Sequence, residues 1–283
     1  MNRNVRRQPN LTSDKEAAAA VEALCEGTSQ AGARRASKGQ RRQIIAVGGP
    51  CRGSGTSTIV HHLAYLDAHL GYRVLVIDAD PQGSMSYLCG ERWRLGVEPR
   101  LEYVHMLVST PVSRFLRASR GDNNRVELTA ERLLELANRY DRIYIDADGD
   151  CPDTLSLLRS CANLHIIPFR PTGNHIRVLQ SAPCLKLPAG PGLEQVLVPT
   201  MVPVEIGSIA RTLLDLETAI ERFKSGDVKL SKVWLTENAA VGRPLSVGAT
   251  VFEDMDEKAS CTHDRAMSEF SGLYQSLFGE PPF

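Results

Sequence analysis

The sequence predicts an α/β fold with a mostly parallel sheet and helices on both of its faces. Apolar, β-branched stretches of strand length recur along the chain, and stretches with the apolar spacing of helices separate them. Strands that alternate with helices form parallel sheets, whose ligands bind beyond the carboxyl ends of the strands. We therefore expect the functional residues in the loops that follow the strands.

The first strand, loop and helix lie at residues 44–58, which read IIAVGGPCRGSGTST. A β-branched run ends there in a glycine-rich turn, and a helix is predicted from about Ser57 to Leu70. This is the layout of a phosphate-binding loop. Backbone N–H groups in such a loop face one concavity, and the helix N-terminus adds partial positive charge.

The residues that would bind a nucleotide follow from this layout. Ser57 and Thr58 supply hydroxyls suited to Mg²⁺. The lysine of the usual P-loop ending is missing, because Thr56 stands between Gly55 and Ser57. The predicted phosphate-binding residues are Arg52, Gly53, Ser54, Gly55, Thr56, Ser57 and Thr58.

Aspartates end two further predicted strands. Residues 72–83 read YRVLVIDADPQG, so a buried strand ends at Asp78 and Asp80, and a second strand at 140–146 ends at Asp146. P-loop nucleoside triphosphatases place such an aspartate beside Mg²⁺. The chain continues with carboxylates at positions 148 and 150. We interpret this run as a polar loop, with a more direct Mg²⁺ site as the alternative.

These segments resemble the ParA/MinD family of deviant Walker-A ATPases, most closely the ParA and RepA plasmid-partition proteins. The family loop is Lys-Gly-Gly-x-Gly-Lys-Thr-Thr, and the next strand ends Asp-x-Asp-Pro-Gln, as residues 78–82 do here. The likeness returns at 196–201 and 237–245, and covers residues 43 to 280 in outline. It implies a P-loop NTPase-like domain of the deviant Walker-A class at 43–283, preceded by a tail at 1–42.

The resemblance also implies roles and partners. ATP and Mg²⁺ would be the cofactors, and Asp80 would be the catalytic residue that positions or deprotonates the attacking water. Ser57, Asp78 and Asp146 would form the Mg²⁺ site, with Asp146 acting through water. The family's assemblies imply a homodimer around the nucleotide, non-specific DNA binding and a DNA-bound adaptor of the ParB type.

The loop departs from the family pattern at both of its lysines and at the first glycine between them. Without a gap, Cys51 replaces the signature lysine, Arg52 its glycine and Thr56 the Walker lysine. Arg52 could replace the signature lysine if the loop is shifted by one residue, and nothing replaces the lysine at position 56. Losing one donor that stabilises transition-state charge typically costs about 10²–10³-fold in rate. We therefore expect weak ATP binding and hydrolysis near background.

Charge is distributed unevenly although the formal net charge is zero. Residues 1–42 carry nine basic and four acidic side chains, so the tail is +5 and the remainder −5. We read the tail as flexible. It is either an arm that contacts DNA phosphates or a solvated linker. The alternative DNA contacts on the core are Arg211, Arg222, Lys224 and Lys229.

Composition excludes several other classes. A hydrophobic content of 42% and a charged content of 23% are typical of soluble domains, and no apolar run approaches the roughly 20 residues of a membrane span. We expect a cytoplasmic, nucleoid-associated protein with no membrane partner. The seven cysteines are odd in number and form no Cys-x-x-Cys pair, which argues against disulfides or zinc. His61 and His62 are adjacent on a helix and do not face one point, which argues against metal ligation.

The remaining pattern predicts further elements. Strands are expected at 164–169, 193–198 and 228–235, and helices at 130–139, 155–162, 176–182, 206–223 and 262–277. Between Trp93 and Val108 the mixture of arginine, glycine and aromatic residues assigns no element.

Three functions remain open. The chain is a nucleotide-dependent partition protein of the ParA type, a pseudo-ATPase that binds without turnover and regulates a partition system, or a metabolic P-loop enzyme. The Asp-Pro-Gln at 80–82 and the Pro-Thr-Met at 199–201 favour the first over the third. Thr56 is the residue that separates the first from the second.

Overall fold

The structure is a computed structural model that describes residues 43–94, 102–107, 126–147, 149, 151–182, 185, 192–203, 228–253, 261–279 and 281–282. Its centre is a parallel sheet in the order β4-β3-β2-β5-β1-β6-β7-β8. The strands are β1 Gln43–Val47, β2 Val74–Ala79, β3 Glu102–Leu107, β4 Val126–Glu127, β5 Arg142–Ala147, β6 Leu164–Phe169, β7 Glu194–Pro199 and β8 Val228–Leu230.

Helices cover both faces of this sheet. The described helices are α1 Thr56–His69, α2 Ser84–Arg94, α3 Ala130–Ala137, α4 Pro152–Cys161, α5 Gly173–Ser181, α6 Ala239–Leu245 and α7 Cys261–Phe278. Alternate residues of β1 enter two cores: Ile45 packs with α1 and α7, and Ile44 packs with α3 and α4. Both faces of the central strands are therefore buried, as their continuous apolar sequences predict.

The predicted fold class is confirmed, and the described elements differ from the predictions by four added elements and one shortened strand. The structure adds α2, β3, β4 and α6, which the sequence pattern did not assign. The strand predicted at 228–235 ends at Leu230, because the Ser231 hydroxyl donates to Val233 O and accepts from Val233 N, which turns the chain. The tail 1–42, the helix predicted at 206–223, Asp148 and Asp150 lie outside the described residues.

Two further observations concern the described residues alone. No helix among them is long and apolar enough to cross a membrane. Of the four alternative DNA contacts on the core, Lys229 is described, and its ammonium lies 2.8 Å from the Glu194 carboxylate. The other three, Arg211, Arg222 and Lys224, lie outside the described residues.

Candidate functional site

The loop between β1 and α1 adopts a conformation that requires glycine at two positions. Gly53 and Gly55 have φ values of 67° and 89°, a region that residues with a Cβ rarely adopt. A Cβ at either position would meet nothing within 4 Å, so the requirement is conformational. Gly55 caps α1 without any side-chain hydrogen bond, which leaves the first-turn N–H groups for an anion.

The loop also packs backbone against backbone. A Cβ at Gly48 would lie 2.7 Å from the carbonyl oxygen of Ala147, and one at Gly149 would overlap the carbonyl of Gly49. A Cβ at Gly49 would lie 2.8 Å from the Cγ2 of Ile167. The start of the loop is thus wedged between the ends of β5 and β6.

Two buried side chains anchor the loop through its carbonyls. His165 Nε2 lies 2.9 Å from the Gly48 oxygen, and burial lowers the pKa of His165 to about 4, so the neutral ring donates this hydrogen bond. Thr200 Oγ1 donates to the Ser54 oxygen at 2.7 Å. Sequence reasoning missed both residues, and the available signal was a polar residue in or directly after an apolar strand.

Ser57 and Asp146 meet beneath the loop. Ser57 Oγ donates to Asp146 Oδ2 at 2.7 Å, and the Asp146 side chain is 1% exposed. Burial raises the pKa of Asp146 to about 7; the Ser57 hydrogen bond opposes this rise, and the charges of Asp78 and Asp80 add to it. No lysine or arginine among the described residues pairs with Asp146. This buried acceptor is suited to a cation supplied from outside the chain.

The two aspartates of the β2 motif differ in their surroundings. Asp78 is fully buried opposite Asp146 in the sheet register, and its carboxylate accepts hydrogen bonds from Ser86 and from the Asp80 N–H. Asp80 is half-buried and faces a cavity, and its Oδ1 accepts from the Gln82 N–H at 2.8 Å. Of the pair, Asp80 is therefore the one that a bound molecule can reach.

A cavity of about 630 Å³ opens at this edge of the sheet. It brings together seven of the predicted site residues: Arg52, Gly53, Gly55, Thr56, Ser57, Thr58 and Asp80. The other three, Ser54, Asp78 and Asp146, are buried outside its lining. Sequence reasoning missed Tyr87, which is 61% exposed on α2 at the cavity, and Met201.

A second cavity, of about 440 Å³, shares Gly55, Thr58, Met201 and Leu245 with the first. The segments that follow β7 and β8 line it, including Thr200 and Glu237. Met201, between the two cavities, has a φ of 50°, the one positive value among the described non-glycine residues. Strain of this kind recurs at ligand sites.

The larger cavity contains little positive charge. Among its described lining residues Arg52 is the one basic side chain, and it is exposed. Thr56 lines the cavity where the P-loop pattern has lysine. The site thus combines a complete backbone cradle with an incomplete set of cations.

The other residues singled out in the sequence have structural partners. His62 accepts the Val251 N–H on Nε2 at 3.2 Å and therefore donates from Nδ1 to the Thr58 oxygen at 2.8 Å. His61 Nε2 lies 2.9 Å from the Gly248 oxygen. Cys51 is buried, and its thiol donates to the His175 oxygen at 3.8 Å. These contacts join the loop and α1 to their surroundings.

The family model for the CobQ/CobB/MinD/ParA nucleotide-binding domain matches residues 45–226. The chain belongs to this family. The match contains most of β1, the glycine-rich loop and both aspartate-terminated strands, so the resemblance deduced from residues 44–58 and 72–83 is confirmed.

Two solved structures share the fold of this chain. An ATP complex of a McdA variant from Cyanothece shares 16% identity, with a TM-score of 0.61 over 84% of this chain and 97% of that one. A provisionally described plasmid partition protein of Borrelia burgdorferi, bound to AMPPNP, shares 19% identity, with a TM-score of 0.54 over 84% and 99%. These likenesses show the fold.

A curated sequence relative covers less of the chain. A protein of Sinorhizobium fredii provisionally named replication protein A is 44% identical over 63 residues, which are 22% of this chain and 16% of the relative. The match therefore spans less than a fifth of the relative's own length.

Proposed function

We propose that this ParA/MinD-family chain is a partition protein of the ParA type that binds ATP with Mg²⁺ weakly and hydrolyses it near background. The observation that supports the proposal is the buried Ser57–Asp146 pair, which lies under an open glycine cradle and has no cation from the described residues. Hydroxyl and carboxylate oxygens are ligands that Mg²⁺ prefers.

The residues present fit a nucleoside triphosphate. The N–H groups of Gly53 to Gly55 and of the first turn of α1 would bind the phosphates, and the second cavity would take the nucleoside. Ser57 would bind Mg²⁺ directly, and Asp146 would act through water from behind it. When bound, Mg²⁺ neutralises charge on the phosphate oxygens. Asp80 would orient a water molecule and accept its proton, because its side chain faces the same cavity.

An uncharged Thr56 should slow ATP hydrolysis more than it weakens ATP binding. Its hydroxyl carries no charge, whereas transition-state charge on the phosphoryl oxygens needs cationic donors. The backbone cradle still binds an anion in the ground state. Turnover consequently suffers more than binding, since only interactions that strengthen in the transition state accelerate the reaction. This contrast favours a second candidate function, a pseudo-ATPase that regulates a partition system.

Assembly and DNA binding complete the proposal. Arg52 is exposed at the cavity mouth, where it would reach the nucleotide of a second copy in a homodimer. The +5 tail would bind duplex DNA without sequence preference, and a DNA-bound adaptor of the ParB type would be the protein partner. We propose a cytoplasmic, nucleoid-associated location on the same grounds.

Calorimetric titration with ATP and Mg²⁺, beside a phosphate-release assay on the same sample, tests the nucleotide part. We expect measurable weak binding by the natural chain with phosphate release near background. Thr56→Lys should tighten binding roughly tenfold or more, and Asp80→Ala in that background should remove any gained rate. Thr56→Gln serves as the control for side-chain length without charge. Rapid hydrolysis by the natural chain that Asp80→Ala leaves intact would contradict the site assignment.

The same samples test assembly. Sedimentation with ATP should show a dimer that Arg52→Ala weakens, and duplex DNA binding should fall steeply with salt and on deletion of residues 1–40. A dimer population unchanged by Arg52→Ala would remove Arg52 from the interface. DNA binding unchanged by the deletion would move the contact to the core.

A further inference from the structure

Asp78 directs both oxygens of its buried carboxylate at protein donors. Oδ2 accepts the Ser86 N–H at 2.7 Å and the Ser86 hydroxyl at 2.7 Å, while Oδ1 accepts the Asp80 N–H at 3.2 Å. The side chain is 0% exposed and does not line the larger cavity. These bonds leave Asp78 few lone pairs for any other ligand.

Tyr103 of β3 extends this arrangement. Its hydroxyl donates to Ser86 Oγ, and burial raises the pKa of Tyr103, so the phenol stays protonated. Ser86 has one hydroxyl hydrogen, which goes to Asp78, so the direction of each bond is fixed. Tyr103, Ser86 and Asp78 therefore form an ordered relay of donors from β3 to the end of β2.

The relay fixes the segment that forms one wall of the larger cavity. Asp80, Gln82, Gly83, Ser84, Tyr87 and Leu88 all line this wall. Asp78 binds it at both ends, through the Asp80 N–H and through Ser86 in the first turn of α2. Between these points the Asp80 carboxylate accepts the Gln82 N–H at 2.8 Å, and the Asp80 backbone oxygen accepts the Gly83 N–H at 3.0 Å.

We propose that Asp78 is a positioning residue. Together with Ser86 and Tyr103, it sets the direction of the Asp80 carboxylate and the position of α2 against the end of β2. The assignment rests on the proposed function, because it gives Asp78 a role in aiming Asp80 at the nucleotide cavity. It replaces the Mg²⁺ role that the family resemblance implies for Asp78.

The two roles predict different patterns among variants. Ser86→Ala and Tyr103→Phe keep the Asp78 carboxylate and remove only hydrogen bonds of the relay. They should therefore disturb the positioning of Asp80 and α2, but they should not affect Mg²⁺ binding by Asp78. Tyr140→Phe is the matched control, because it also removes a tyrosine hydroxyl that bonds to β3, there at Glu102 in the first position of the strand. Ser86→Thr keeps the hydroxyl and should restore natural behaviour.

Hydrogen exchange of the amides of residues 82–88 in the nucleotide-free protein is the main readout. A lost hydrogen bond between neutral groups corresponds to exchange about 2- to 12-fold faster, and we expect this for Tyr103→Phe. Ser86→Ala loses a donor to a carboxylate and should exchange faster still, whereas Ser86→Thr and Tyr140→Phe should match the natural chain. The Mg²⁺ concentration that half-saturates ATP binding should stay within about twofold of the natural value in Ser86→Ala, a change of less than about 0.5 kcal/mol.

Two results would overturn the inference. One is an amide exchange rate at residues 82–88 that equals that of the natural chain in both Ser86→Ala and Tyr103→Phe. The other is an Asp78→Asn protein that needs at least tenfold more Mg²⁺ while its exchange stays natural. A chain that binds no ATP would refute the proposed function, and the nucleotide-free exchange would still decide whether the relay orders this wall.

Discussion

Asp67 and Asp146 are both buried beside the central sheet, and their surroundings differ. Asp67, near the end of α1, accepts the hydroxyls of Tyr144 and Tyr274 at 2.6 and 2.5 Å, and Arg142 Nε lies 3.9 Å away. Asp146, at the opposite end of β5, accepts the Ser57 hydroxyl and has no cation among the described residues. The first charge is compensated within the fold and the second is not.

The surroundings of Arg142 strengthen the contrast. Its guanidinium lies over the rings of Tyr72 and Phe278, at 4.9 and 4.5 Å from their centroids, and it also bonds to Gln43. Such stacking suits a buried arginine. The Asp67 cluster is compensated within the fold, whereas the uncompensated Asp146 fits the role in Mg²⁺ binding that we propose for it. Buried groups whose pKa is raised without a structural partner are typical of functional sites.

The largest effect should come from breaking the compensated pair. Arg142→Ala leaves Asp67 buried without its cation, which typically costs about 3–5 kcal/mol of unfolding free energy. Urea unfolding measures the loss. Arg73→Ala is the control, because its ion pair with Asp141 is exposed and should contribute less than about 1 kcal/mol. Equal losses in the two variants would contradict the contrast between the sites.

In the nucleotide-free protein, Asp146→Asn should increase the free energy of unfolding, whereas Arg142→Ala lowers it. The pKa of Asp146 is raised from 3.8 to about 7, so the stability linked to its proton is present below pH 4 and lost as the pH rises through 7. The variant should therefore be more stable than the natural chain at pH 8, by about 1–4 kcal/mol.

Urea unfolding at pH 5 and pH 8 in a chelator measures this gain, which should be clearly smaller at the lower pH, because the stability linked to the Asp146 proton is only partly lost there. Added Mg²⁺ with ATP should then stabilise the natural chain and not the variant. A variant less stable than the natural chain at pH 8 would show that Asp146 is compensated by the fold after all.

Removing one hydroxyl donor from Asp67 and one from Asp146 should change stability less, and it compares the two sites directly. Tyr274→Phe deletes a donor to the charged Asp67 and should cost about 1.5–3 kcal/mol. Ser57→Ala deletes a donor to Asp146, which is mostly protonated at pH 6, and should cost less than about 1 kcal/mol there. Thermal unfolding of both variants at pH 6 gives the ranking, and the reverse order would remove the distinction.

The sequence predicted the features that depend on nearby residues. The glycine loop and the strands ending at Asp78 and Asp146 carry local patterns, and parallel pairing then places those two aspartates opposite each other. The region of α2 and β3 was not assigned, because its apolar residues clearly follow neither the 3.6-residue period of a helix nor the two-residue period of a strand. The first turn of α2 is fixed instead by Ser86, which bonds to Asp78 eight positions earlier.

Contacts between distant parts of the chain could not be predicted. Asp67 and Tyr274 are 207 positions apart, and His165 and Gly48 are 117 apart. The sequence shows only that a polar residue interrupts an apolar element, which identifies a buried polar group and not its partner. The same limit hid Tyr103, whose role depends on the register between β2 and β3.

The close backbone packing around Gly48, Gly49 and Gly149 has a consequence for how this loop can diverge. Its course is fixed by contacts with Ala147 and Ile167, and none of them involves the side chain at position 56. A substitution at position 56 therefore changes the chemistry of the loop and leaves its shape alone, whereas adding a single methyl group at position 149 would force the backbone apart. The residue at position 56 can therefore be exchanged without rebuilding the cradle.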